Sequence, residues 1–152
     1  MNKIITNSPE ETQQAGFDLA KALQDGDVIL LYGDLGYGKT TFVQGLAKGL
    51  GVLQRIISPT FIIVRKYDIK MKNQKSNLKN KETKRLYHID LYRVKTVHDI
   101  EGLGIKEIFQ DSKAVVVIEW PEKMFGLELP EDIKKVTFEY LTENRRRITI
   151  SQ

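Results

Sequence analysis

The chain has 152 residues, 41% of them hydrophobic and 29% charged, with 24 Lys and Arg against 20 Asp and Glu for a formal net charge of +4. That describes one globular domain, 1–152, with room for a proper core and too little chain for a comfortable second one. The absence of cysteine excludes a disulfide framework, a Cys-ligated metal site and a thiol nucleophile, and two lone histidines ten residues apart make a poor start for zinc, so metal chemistry here must use carboxylate and hydroxyl oxygens.

The first ten residues lack the basic-then-apolar order of a secretory signal, and no apolar run approaches the ~20 residues that span a bilayer. The expectation is a reducing, cytoplasmic setting with no membrane segment. Ser8-Pro9-Glu10-Glu11 opens a helix by several rules at once: Ser8 as N-cap, Pro9 at the first helical position, and Glu11 three residues after the cap to complete a capping box. Ala15, Leu19, Ala22 and Leu23 repeat at helical spacing, and Gly26 ends the helix. Residues 28–32, VILLY, form a continuous apolar run, the mark of a strand covered on both faces and therefore of a parallel sheet.

A glycine-rich turn follows, then a helix over 39–50 with Phe42, Val43, Leu46, Ala47 and Leu50 inward. Residues 57–64 are rich in β-branched side chains and read as the next strand, with Ser58-Pro59 at its start. Residues 66–85 carry eight basic and two acidic side chains, a local net of +6 that leaves the rest of the chain at −2. Polar, unpatterned and low in aliphatics, that segment reads as a long inserted loop, either simply solvated or a contact for RNA or another polyanion. A third strand over 86–91, a short helix over 99–109 broken by Gly102 and Gly104, and a buried strand over 114–118 follow. Residues 135–141 and 147–150 flank Thr142-Glu143-Asn144 as an antiparallel edge hairpin.

Gly33-Asp34-Leu35-Gly36-Tyr37-Gly38-Lys39-Thr40 satisfies G-x-x-x-x-G-K-[ST] between a buried strand and an amphipathic helix. The glycines let the backbone curl so that successive amides point at one anion, and the helix beginning at Lys39 adds its positive end. Lys39 is placed to reach the β and γ phosphates of a nucleotide, and Thr40 to offer a hydroxyl to magnesium. The spacing of Gly33, Gly36 and Gly38 is wrong for the dinucleotide fingerprint. The predicted fold is therefore α/β, a P-loop NTPase-like three-layer sandwich with a central, mostly parallel sheet and an antiparallel C-terminal edge hairpin.

A nucleotide–magnesium site needs an acid at the end of a neighbouring strand. Glu119, after the aliphatic run 114–118, is assigned to the magnesium. Asp90, at the end of 86–91, orients or deprotonates the attacking water, or shares the metal. Thr60 is a candidate switch position sensing the γ phosphate. Trp120 packs near the site, His88 suits a hydrogen-bonding role better than metal ligation, and Arg93 is a candidate for neutralising transition-state charge.

Gly33-Asp34-Leu35-Gly36-x-Gly38-Lys39-Thr40-Thr41-Phe42, Ser58-Pro59-Thr60-Phe61, Tyr87-His88-x-Asp90-x-Tyr92-Arg93, Glu101-x-x-Gly104 and Ile118-Glu119-Trp120 stand in order along nearly the whole chain. Together they resemble the bacterial TsaE (YjeE-like) ATPases, which assist synthesis of threonylcarbamoyladenosine in tRNA. The resemblance implies ATP and Mg2+ as ligands, TsaD and TsaB as partner proteins, and hydrolysis that supports turnover of their assembly without supplying the transferred group. By motif match, Lys39, Thr40 and Thr41 meet phosphate, Thr40 and Glu119 hold magnesium, Asp90 and Thr60 serve hydrolysis, and Trp120 lies by the site. In such proteins the segment before the first helix lies near the adenine, which points to Glu10, Glu11 or Thr12. The chain departs from the family pattern at Tyr37, where a small residue is usual, and in the length and basicity of the 66–85 insert. A second reading, a small-molecule P-loop kinase with the insert as lid, predicts a phosphorylated product.

Overall fold

The computed structural model describes residues 1–59, 62–70 and 83–152. Seven strands form one sheet in the order β1-β7-β6-β2-β5-β4-β3. Its centre is parallel: β2 (Val28–Tyr32) lies between β5 (Ala114–Glu119) and β6 (Ile133–Tyr140), and β4 (Lys84–Asp90) runs parallel beside β5. Antiparallel strands close both sides. β7 (Arg146–Ser151) pairs with β6 and β1 (Asn2–Thr6) with β7, while β3 (Val64–Ile69) pairs with β4.

The alternation along the central strands sets the layers. Ile29 and Leu31 of β2, with Val115 and Val117 of β5 and Leu86 of β4, face one way and pack with α1 (Pro9–Ala20) and α2 (Lys39–Leu50). Val28, Leu30, Val116, Ile118 and Ile89 face the other way, onto Ile100 of α3 (Val97–Glu101), Ile105 and Ile108 of α4 (Ile105–Phe109), and Met124 of the 3-10 turn Pro121–Met124. Both faces are thus covered, as the uninterrupted apolar runs require. Each wholly buried side chain such as Phe42 or Leu46 contributes about 1.5–3 kcal/mol of transfer free energy.

α1 and α2 touch backbone to backbone. A Cβ on Gly45 would stand 1.8 Å from the carbonyl oxygen of Gln13, and one on Gly16 would stand 2.1 Å from that of Phe42, so neither position accepts a side chain unless the helices separate. This close fit seats the start of α2, and hence the glycine loop, against the sheet. Ser8 caps α1 as expected, its Oγ accepting from the Glu11 amide at 3.1 Å, and the Glu11 carboxylate reaches back to the amide of Asn7 at 2.7 Å.

Four expectations need correction. α1 stops at Ala20, six residues before Gly26, because residues 21–23 bond back in single turns to the carbonyls of Asp18, Leu19 and Ala20. Of the strand expected over 57–64, residues 60 and 61 lie outside the described residues, and among the others only Val64 is strand: the amides of Ile62 and Ile63 both turn back to the carbonyl of Pro59, and Ile63 holds a φ of 69°. The ends of the expected 66–85 insert are strand, since Lys66 to Ile69 and Lys84 to Arg85 pair across β3 and β4; residues 71–82 lie outside the described residues. The C-terminal hairpin is antiparallel but does not form the edge, because β1 covers β7 and β6 joins β2 in the parallel centre. Among the described residues no helix is long and apolar enough to cross a membrane.

Candidate nucleotide site

β2 ends at Tyr32, and the loop that follows can curl because Gly33, Gly36 and Gly38 take φ values of 142°, 76° and 95°. Gly38 is the N-cap of α2 in a left-handed conformation that favours glycine, and no side chain caps the helix. The first helical bond runs from the Phe42 amide to the Gly38 carbonyl at 2.9 Å. The amides of Lys39, Thr40 and Thr41 therefore precede the helical ladder, at the end where the dipole favours an anion.

Sheet parity brings the acids to this loop. Leu86, His88 and Asp90 alternate on the same face of β4 as Val115, Val117 and Glu119 on β5, which is the face that carries α2. Asp90 pairs in register with Glu119, and Glu119 with Leu31 near the end of β2, so the parallel strands deliver their carboxyl ends level with the glycine loop. Open α/β sheets bind ligands at this edge.

The Lys39 ammonium is buried, with the residue 5% exposed; it donates to the carbonyls of Gly33 and of Asp34, the latter at 3.0 Å, and stands 4.5 Å from the centre of the Trp120 ring. Burial pushes its pKa below the ordinary lysine value, against the opposing pull of Glu119, Asp90, Glu122 and Asp34. A phosphate reaching this ammonium would favour its charged form.

Glu119 is 3% exposed, and its Oε1 accepts from Thr40 Oγ1 at 3.2 Å and is 2.9 Å from Nε2 of the wholly buried His88. With Glu119 ionised, Nε2 is the donor, so His88 has the hydrogen-bonding role expected of it. Asp90 is fixed on both oxygens: the Tyr92 amide donates to Oδ1 at 2.9 Å and Ser58 Oγ to Oδ2 at 3.3 Å. Trp120, in a left-handed conformation, and Tyr92 wall the cleft with ring centres 5.1 Å apart, and Lys123 bonds the Tyr92 carbonyl beside them. The cleft holds about 280 Å³ among residues 35–41, Ser58, Asp90, Tyr92, Glu119 and Trp120.

A smaller groove of about 100 Å³ adjoins it, sharing Gly36, Gly38 and Thr41 and walled by the start of α1 (Ser8, Pro9, Thr12) and the β6–β7 turn (Glu143, Asn144, Arg146). Of the three residues proposed for the adenine, Thr12 lines this groove, while Glu10 is exposed and Glu11 is held by Asn7. Gly33 and Asp34 stand at the start of the loop and meet the site through the carbonyls that Lys39 holds. Arg93 is exposed, and Thr60 lies outside the described residues.

Three contributors were not singled out by sequence reasoning. Ser58 and Tyr92 sit inside the quoted motifs, two residues from Thr60 and Asp90, and that proximity was the available signal. Arg146, which bonds the Gly36 carbonyl from 110 residues away, carries no local signal.

The family described as threonylcarbamoyl adenosine biosynthesis protein TsaE matches residues 6–148. The tRNA threonylcarbamoyladenosine biosynthesis protein TsaE of Treponema pallidum is 33% identical, covering 98% of this chain and 99% of that protein. The protein of the same name from Bacillus subtilis is 34% identical over 98% of this chain and 84% of its own length, and that of Synechocystis is 42% identical over 74% and 66%. Among solved structures, Bacillus subtilis YdiB superposes with a TM-score of 0.69 and 30% identity, covering 98% of this chain and 83% of that one.

Proposed function

The chain belongs to the TsaE family of tRNA threonylcarbamoyladenosine biosynthesis, and from that premise we propose that it is a P-loop NTPase-like, magnesium-dependent ATPase that hydrolyses ATP within an assembly with the TsaB and TsaD proteins. One observation carries the reading: Thr40 Oγ1 and Glu119 Oε1 meet at 3.2 Å beside an uncapped helix start and a buried lysine.

These donors suit the ligands. Thr40 and Glu119 offer only oxygens, the preference of a hard divalent cation, and a magnesium ion that shares its shell with phosphates and water needs no all-protein cage. Among the described residues no cluster of three or more His, Asp or Glu side chains forms such a cage. Thr40 and Glu119 would hold magnesium, which would supply positive charge against the phosphates. The amides at the start of α2 receive the phosphate oxygens, and Lys39 turns from the loop carbonyls to them. Asp90, immobilised by Ser58 and the Tyr92 amide, orients a water for attack on the γ phosphorus and takes up its proton; the phosphorus–oxygen bond to ADP breaks and inorganic phosphate leaves. Trp120 and Tyr92 shield this step from bulk water. Contact with tRNA comes through the assembly, with the basic segment 66–85 as its candidate contact in this chain.

Asp90→Asn keeps the size and one acceptor oxygen of the side chain but not its basicity. It is expected to bind Mg–ATP with wild-type affinity and to hydrolyse it about 10²–10⁴-fold more slowly, read by phosphate release. Hydrolysis at the wild-type rate would remove Asp90 from the mechanism.

A further inference from the structure

Three separate contacts tie residues 33–37 of the glycine loop to the β6–β7 hairpin. At Gly33 a Cβ would sit 2.9 Å from the carbonyl oxygen of Phe138 and 3.0 Å from its Cβ, so the loop leaves β2 in backbone contact with β6. The ring of Tyr37 leans on that of Tyr140, with centres 5.9 Å apart and planes at 31°. Arg146 lies over the Tyr140 ring, its guanidinium 4.9 Å from the ring centre. Its Nη1 donates to the carbonyls of Thr142, Arg145 and Glu143 at 2.7, 3.0 and 3.1 Å, and its Nη2 donates to the carbonyl of Gly36 at 3.1 Å.

The last bond matters because of what stands behind it. The peptide unit between Gly36 and Tyr37 is pinned at both ends: Arg146 holds its carbonyl, and its amide donates to the carbonyl of Asp34 at 3.3 Å. That same Asp34 carbonyl accepts from the Lys39 ammonium. When Lys39 turns to a phosphate it gives up its bonds to the loop, and three glycines with positive φ then leave much freedom to be frozen. The hairpin is the support that stays.

We propose that the C-terminal hairpin clamps the crown of the glycine loop, with Arg146 as the positioning residue that keeps the loop in its phosphate-receiving shape. The aromatic pair seats the Tyr37 side chain against Tyr140 and makes it part of the clamp. The inference rests on the nucleotide reading above and assigns Arg146 no contact with the reacting atoms.

The test compares Mg–ATP with magnesium inorganic triphosphate, which has phosphates and no base or sugar, on the full chain and its Arg146→Ala variant. Arg146→Ala is expected to weaken both ligands by the same factor, about tenfold for one lost charge-assisted bond, to raise the KM for ATP accordingly, and to leave kcat at saturating ATP unchanged. Arg146→Lys should not restore affinity, because one ammonium cannot span the turn carbonyls and Gly36 together; if the alanine variant fails to fold, the lysine variant carries the same comparison. Unchanged affinity for triphosphate would overturn the clamp, whether ATP affinity also holds or falls alone as for a base or sugar contact, and so would a loss confined to kcat. A wild-type chain that binds neither ligand overturns the nucleotide reading itself, and the clamp with it.

Discussion

Replacing Lys39 with alanine is expected to abolish ATP hydrolysis and to reduce nucleotide affinity below detection at micromolar protein. The side chain does nothing else that would account for its position. Its ammonium is buried at a cost that pulls the pKa down, and among the described residues it is satisfied by two loop carbonyls and the face of Trp120. A cation held in this way next to an uncapped helix start is pre-organised for an incoming anion, and removing one such group from a phosphoryl-transfer site costs about 10²–10³-fold in rate. Folding should survive, since the lost contacts are offset by the burial of one charge fewer. Trp120, the chain's one tryptophan, stands 4.5 Å from the ammonium, so its fluorescence can report both wild-type binding and its loss. A Lys39→Ala variant that still hydrolyses ATP at the wild-type rate would contradict the whole site.

Glu119 is the second decisive position, and two substitutions separate its roles. Its Oε1 serves Thr40 and His88 together, while Nδ1 of His88 is buried with no hydrogen-bond partner among the described residues. Glu119→Ala therefore strips the remaining partner from a wholly buried imidazole, which should lower stability by about 1–3 kcal/mol in denaturant unfolding. Glu119→Gln keeps an acceptor oxygen for Nε2 and should remain near wild-type stability. Both should lose the magnesium dependence of nucleotide binding and hydrolysis, because an amide does not replace a carboxylate for a hard cation. An unchanged magnesium titration in Glu119→Gln would show that the metal is held elsewhere.

What was legible in the sequence was what is locally encoded. β2 and β5 announce themselves because both their faces are buried, and the glycine loop because its φ values demand glycine at fixed spacing. The acids at the strand ends followed from the same logic, since a parallel sheet delivers its carboxyl ends to one edge. The elements missed or misplaced depend on distant partners. β1 has little apolar pattern of its own and exists by pairing with β7, nearly the whole chain away. The hairpin was readable as a hairpin, but nothing local said that β6 would pair with β2 and leave β7 inside the sheet. Residues 57–64 have strand composition, yet the Pro59 carbonyl captures the amides of Ile62 and Ile63, and Ile63 adopts a conformation that β-branched residues seldom take. Arg146 was invisible for the same reason: its partner, Gly36, is brought to it only by the sheet order.

The central claim, an ATPase that works inside an assembly, is tested most directly by phosphate release from Mg–ATP with the purified chain alone and then with TsaB, TsaD and tRNA. The account predicts slow hydrolysis alone, faster hydrolysis in the presence of the partners, and none in either setting for Lys39→Ala. No response to the partners, with ATP consumed only when a small acceptor is added and a phosphorylated product formed, would contradict it and make the chain a kinase.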